Sequence, residues 1–217
     1  MEDWAVSPRY RSSELVSGRV NAIDVFEDQV KGWVLEFAKR LTAEEHSGIA
    51  VMMVCTSYFE WVESFRRGKD SRSKSEEFFK STFQRLFPDL ASSARGVDAA
   101  DILYHDLRCG LYHEGLMRGR IVFRREGEAI EIRDAPLQVV INANAFLDNI
   151  ITDFDQYLHQ LRAQNAQPDE LKSNFERMWL ERAQDPSETC GAAEVVPAPG
   201  EIVLETRAPV RSIIVKM

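Results

Sequence analysis

The run Gly48–Phe65, GIAVMMVCTSYFEWVESF, constrains the fold of this chain most. Its first half is apolar almost all round, and a helix without a polar face must be enclosed by other elements. The run therefore predicts a central helix that ends near Arg66. Thr42-Ala43-Glu44-Glu45 has the spacing of a capping box and predicts where that helix opens. Upstream, Val20, Ile23, Phe26, Val30, Val34, Phe37 and Leu41 recur at three- and four-residue steps, which predicts a helix over 20–41. Gly32 inside it costs about 1 kcal/mol that packing must offset.

Downstream, RRGKDSRSK (66–74) reads as a charged loop. A helix follows over 76–86, with Phe78, Phe79 and Phe83 inward and Pro88 as its stop. Tyr58, Phe59, Trp61 and Phe65 have helical spacing and join these phenylalanines as core. Another helix begins near Ala99 and ends at Gly115. Ile121–Arg125 and Ala129–Arg133 alternate about Gly127, the pattern of a β-hairpin over 120–133. Residues 137–161 carry an apolar stripe from Val140 to Leu161 and predict one long helix. A last helix is expected over 169–183, started by Pro168. The expected fold is an all-α, up-down helical bundle of five to six helices with a small β-hairpin insertion. Residues 1–19 read as a leader, 20–184 as the bundle, and 185–217 as a Pro/Ala/Gly-rich tail with short strands at 202–204 and 213–215.

The chain carries 27 Lys and Arg against 35 Asp and Glu, a net charge of −8. That balance excludes a sequence-independent nucleic-acid coat, which needs a basic surface, but leaves room for a small basic cleft. No apolar run reaches the roughly 18 residues of a membrane span, and the N-terminus lacks the order of a signal peptide. Cys55, Cys109 and Cys190 are too few and too scattered for a disulfide framework. A cytoplasmic, reduced protein that does not enter membranes is expected.

One stretch offers chemistry: Asp101-Ile-Leu-Tyr-His-Asp-Leu-Arg-Cys-Gly-Leu-Tyr-His-Glu-Gly-Leu116. At 100° per residue, Leu103, Leu107, Gly110 and Leu111 fall on one side and predict the core face. Asp101, His105, Arg108, Cys109, Tyr112 and His113 spread over the other side. Two His, an Arg, a Tyr and a Cys on adjacent turns differ from the Glu/Lys dressing of an ordinary exposed helix. His105, Cys109 and His113 form an i, i+4, i+8 ladder, but no second cluster completes a tetrahedral site, so neither a metal nor a cofactor is expected.

Arg108-Cys-Gly-Leu-Tyr-His113 is an Arg-x4-His element late in a helical array, and it resembles the signature of the HEPN superfamily, in particular its uncharacterised bacterial branches. The resemblance spans 20–161. It implies an all-α bundle that pairs as a homodimer through the helix carrying Arg108 and His113. Active members are metal-independent endoribonucleases of toxin–antitoxin and anti-phage systems, so RNA and an antitoxin or other protein are the implied partners. By the same resemblance, Arg108 would hold the scissile phosphate and His113 would act as general acid or base. Arg offers a fixed fork of donors to phosphate, and His titrates near neutral pH. His105, Cys109, Tyr112, Arg118 and Arg120 would support or bind substrate. Active members commonly carry a polar residue directly after the Arg, where this chain has Cys109. A non-catalytic HEPN-like module that binds a nucleotide or protein is the alternative. At the level of residues alone, Arg108 paired with Asp101 or Asp106 as a surface ion pair stays open as well.

Overall fold

A computed structural model describes residues 3–163 and 169–184. Helix α1 (Ser12–Val16) precedes α2 (Ala22–Val30), which passes through one π-helical turn (Lys31–Leu35) into α3 (Glu36–Leu41). Then come α4 (Gly48–Arg67), α5 (Ser75–Leu86), the single turn α6 (Pro88–Ala91) and α7 (Ala94–Ile102). Helix α7 runs on without a break into a π-helical stretch, Leu103–Glu114, closed by Gly115 at φ +75°. Strands β1 (Ile121–Arg124), β2 (Ile130–Asp134) and β3 (Leu137–Asn142) lead into α8 (Ala143–Arg162) and α9 (Glu170–Gln184).

Helix α4 is central, as its composition requires. It packs on α3, α5, α8, α9 and the π-helical stretch, and Val51, Met52, Cys55, Phe59 and Val62 are fully buried. On one side Phe26, Tyr58, Trp61, Phe65, Phe154 and Phe175 interlock, with the Phe26 and Phe65 rings 4.7 Å apart. On the other, Phe59 stacks on Phe79 at 4.5 Å and on Phe146 at 5.7 Å. Each buried ring contributes about 1.5–3 kcal/mol by leaving water, and pairing adds about 0.5–1.5.

The all-α bundle with a small hairpin insertion is corrected by the sheet. Its strand order is β1-β3-β2, with β1 parallel and β2 antiparallel to β3. The two strands expected to form the 120–133 hairpin do not pair with each other. Strand β3, taken from the start of the expected 137–161 helix, lies between them, and the tight reversal is Ala135-Pro136 between β2 and β3. The fold is thus largely helical with a mixed three-stranded sheet. Val139, Val140 and Ile141 are fully buried at its centre, and such an unbroken β-branched run suits a middle strand. Asn142 sets the boundary. Its side-chain oxygen accepts from the Asn144 and Ala145 amides at the start of α8, while its Nδ2 donates to Gly127 O at 2.8 Å.

Smaller corrections follow the same logic. Thr42 ends α3, its hydroxyl donating to Lys39 O at 2.7 Å, so the Thr-x-x-Glu string opens no helix. Pro88 occupies the first turn of α6, where its missing N–H costs nothing, besides closing α5. The leader packs: Asp28, 5% exposed, accepts from the Ser7 hydroxyl at 2.6 Å and from the Arg9 amide at 2.8 Å. The tail 185–217, with its expected strands, and Pro168 lie outside the described residues.

Candidate functional site

The chemistry-bearing segment is wound differently from the expected α-helix. In a π-helix the hydrogen bonds run from i to i+5, so residue i+5 comes to lie roughly above residue i. Arg108 and His113 are five apart, so this winding brings them closer in angle on successive turns than an α-helix, which would turn them well apart. The core face survives the change: Leu103, Leu107, Gly110 and Leu111 are buried as expected, and Asp106 joins them at 4% exposure. Gly110 is needed because the chain returns across it. A Cβ there would stand 2.6 Å from Leu116 O.

Arg108 is half-buried between aromatic rings. Its guanidinium carbon lies 5.0 Å from the Tyr112 centroid and 5.9 Å from that of Tyr104. Its Nε donates to Glu60 Oε1 on α4 at 2.6 Å, with the two side chains only 18% and 14% exposed. Burial pushes the Arg108 pKa down, but the bond to and charge of Glu60 outweigh it and hold the pKa above the ordinary value. The ion-pair partner is thus neither of the aspartates that the residues alone left open: Asp101 meets Lys80, and Asp106 meets Arg120. Tyr112, an exposed ring, donates its hydroxyl to Met53 O at 3.0 Å. Cys109 is partly buried, and His113 is exposed in the last π-helical turn. Tyr104 and Ser75 hydroxyls lie 2.6 Å apart, and burial first of all raises the Tyr104 pKa.

The other expected residues take other ionic partners. His105 points to α5, its Nε2 3.7 Å from Glu76 Oε1. Arg120 forks onto both oxygens of buried Asp106, at 2.5 and 2.9 Å. Arg118 pairs with Glu114 at 2.5 Å and caps the π-helical stretch, its amide donating to Asp106 O. Glu60 was missed from sequence, although a signal existed: a carboxylate inside the aromatic run Tyr58–Trp61 of a helix predicted to be central needs a partner.

A second ionic group lies deeper. Asp153, 6% exposed, accepts from the Tyr58 hydroxyl at 2.6 Å and from Arg85, with Arg66 Nη2 at 3.8 Å. Arg66 lies over the Tyr157 ring at 4.6 Å, and burial depresses its pKa. This knot ties α4, α5 and α8 together.

No protein-family model, curated protein or solved structure matches the chain. Among the described residues, no helix is long and apolar enough to cross a membrane.

Proposed function

We propose that the protein is an endoribonuclease that cleaves RNA without a metal, acting as a homodimer through the face that carries Arg108 and His113. The observation that supports this reading most is the π-helical winding, which brings both residues of the Arg-x4-His element closer in angle. Glu60 takes the Arg108 Nε–H and fixes the guanidinium plane between two tyrosines, while the Nη groups keep donors for a phosphate. His113, exposed in the last π-helical turn, is available for proton transfer. In the proposed reaction a ribose 2′-OH loses its proton and attacks the adjacent phosphorus. The P–O5′ bond breaks and the leaving oxygen is protonated, which gives a 2′,3′-cyclic phosphate and a 5′-hydroxyl. Met53 and Tyr112, which meet through the Tyr112 hydroxyl, are 42% and 45% exposed, an apolar surface suited to a second copy.

A non-catalytic binding module is the second reading, and one observation favours it. Every arginine flanking the motif already meets a carboxylate: Arg118 with Glu114, Arg120 with Asp106, Arg124 with Glu131, and Arg125 with Glu45. The basic surface that would steer RNA is to that extent neutralised.

The test is incubation of a mixed RNA pool with the protein in EDTA, comparing wild type with Arg108→Ala and His113→Ala. Cleavage by wild type that falls by about 100-fold or more in both variants is expected. Intact RNA after incubation with folded, dimeric wild type would transfer the assignment to the binding module.

A further inference from the structure

The first turn of α5 faces the junction of α7 with the π-helical stretch. Among the described residues, Glu76, Asp101 and His105 form the one group of three metal-ligating side chains, with one ligand atom of each within 4.8 Å of the other two. His105 Nε2 and Glu76 Oε1 are 3.7 Å apart. Lys80 from the next turn of α5 already places its ammonium against both carboxylates, 2.6 Å from Glu76 Oε1 and bonded to Asp101. A positive charge is thus accommodated between them. Beside the group opens a cavity of about 620 Å³, with Glu76, Lys80 and Tyr104 in its lining.

We propose that Glu76, Asp101 and His105 form a binding site for a divalent transition-metal ion, and that Lys80 occupies the cation position until the ion displaces it. Donors around a tetrahedral ion with bonds of about 2.0–2.2 Å stand roughly 3.4 Å apart. The His105–Glu76 pair is close to that separation, and Asp101 reaches it by a rotamer adjustment that its partial exposure permits. One imidazole and two carboxylates suit Zn²⁺ or Mn²⁺ better than Mg²⁺, which prefers oxygen ligands alone. The cavity gives the displaced lysine a place to go and leaves the fourth position of the ion open to water. Asp101 and His105 stand four residues apart on a continuous helix, a spacing that presents both to one ion.

The site is independent of RNA cleavage, and its test is a direct zinc titration of chelator-treated full-length protein by calorimetry. Wild type, His105→Ala, Asp101→Asn and Lys80→Met are compared, with circular dichroism as the check on folding and Mg²⁺ as the control ion. One zinc per chain is expected, bound about tenfold or more weakly by His105→Ala and by Asp101→Asn. Lys80→Met removes the competing cation and tightens binding by about tenfold. Absence of zinc binding in both wild type and Lys80→Met overturns the proposal. So does binding that persists unchanged in His105→Ala and Asp101→Asn, because the ion then sits elsewhere. Weaker binding in folded Lys80→Met would overturn the displacement by making Lys80 a support of the site.

Discussion

Replacing Asp153 with Ala should cost the protein about 3 kcal/mol of stability. The carboxylate is 6% exposed and receives the Tyr58 hydroxyl, which is itself held in a residue only 1% exposed. Burial first, then the negative charge of Asp153, keeps that phenol protonated well above its ordinary range, so it is a committed donor. Without its acceptor it is left unpaired in the core, at about 1–3 kcal/mol. Arg85 and Arg66 also lose their shared counter-ion, and removing one partner of a buried ion pair costs about 3–5 kcal/mol. Arg85 keeps Glu63 at 3.6 Å and both arginines retain some solvent, so the ionic share falls well below the fully buried range and the two losses together come to about 3 kcal/mol. Asp153→Asn keeps the shape and one acceptor and should lose about half as much. Urea unfolding followed by circular dichroism reads both numbers, given an unchanged slope with denaturant. A loss below about 1 kcal/mol in Asp153→Ala would refute the idea that this knot holds α4, α5 and α8 together.

Asp28 is buried, which raises its pKa, but the bonds from Ser7 and Arg9 outweigh this and leave it below its usual value. Its contribution is therefore present above the ordinary carboxylate range and lost as pH falls through the lowered pKa. Asp28→Asn should destabilise at pH 7, and the gap from wild type should narrow below about pH 4; a gap that widens in acid denaturation would contradict the sign. Gly110→Ala puts a Cβ 2.6 Å from Leu116 O, a backbone atom that cannot swing away. It should cost about 1–3 kcal/mol and expose the 115–118 turn to proteolysis, whereas a variant as stable as wild type would show that the chain does not cross there.

What the sequence disclosed and what it hid have particular causes. The central place of α4 was legible because the first half of the run 48–65 is apolar almost all round and has no polar face to expose. The core face of 103–111 was legible too, since Leu103, Leu107 and Leu111 are spaced by four, a step that either winding keeps on one side. The winding itself was not legible: no residue type marks an i to i+5 ladder, so the segment read as an ordinary α-helix with Arg108 and His113 spread over its outer side. Strand β3 was misread because Val139-Val140-Ile141 serves equally as a buried strand or as the first turn of the α8 stripe, and periodicity alone does not separate the two. Once β3 lay between β1 and β2, the expected hairpin could not form. Glu60 was hidden by distance, 48 residues from the arginine that it orients.

Whether Arg108 and His113 act together on RNA is read most directly from the ends of the products. Wild-type protein and His113→Ala are incubated in EDTA with an RNA of defined sequence and with the same strand made of DNA. Wild type should convert the RNA into fragments bearing 2′,3′-cyclic phosphate and 5′-hydroxyl ends and should leave the DNA intact, while His113→Ala cleaves neither. Fragments with 5′-phosphate ends, or equal cleavage by His113→Ala, would contradict the assignment.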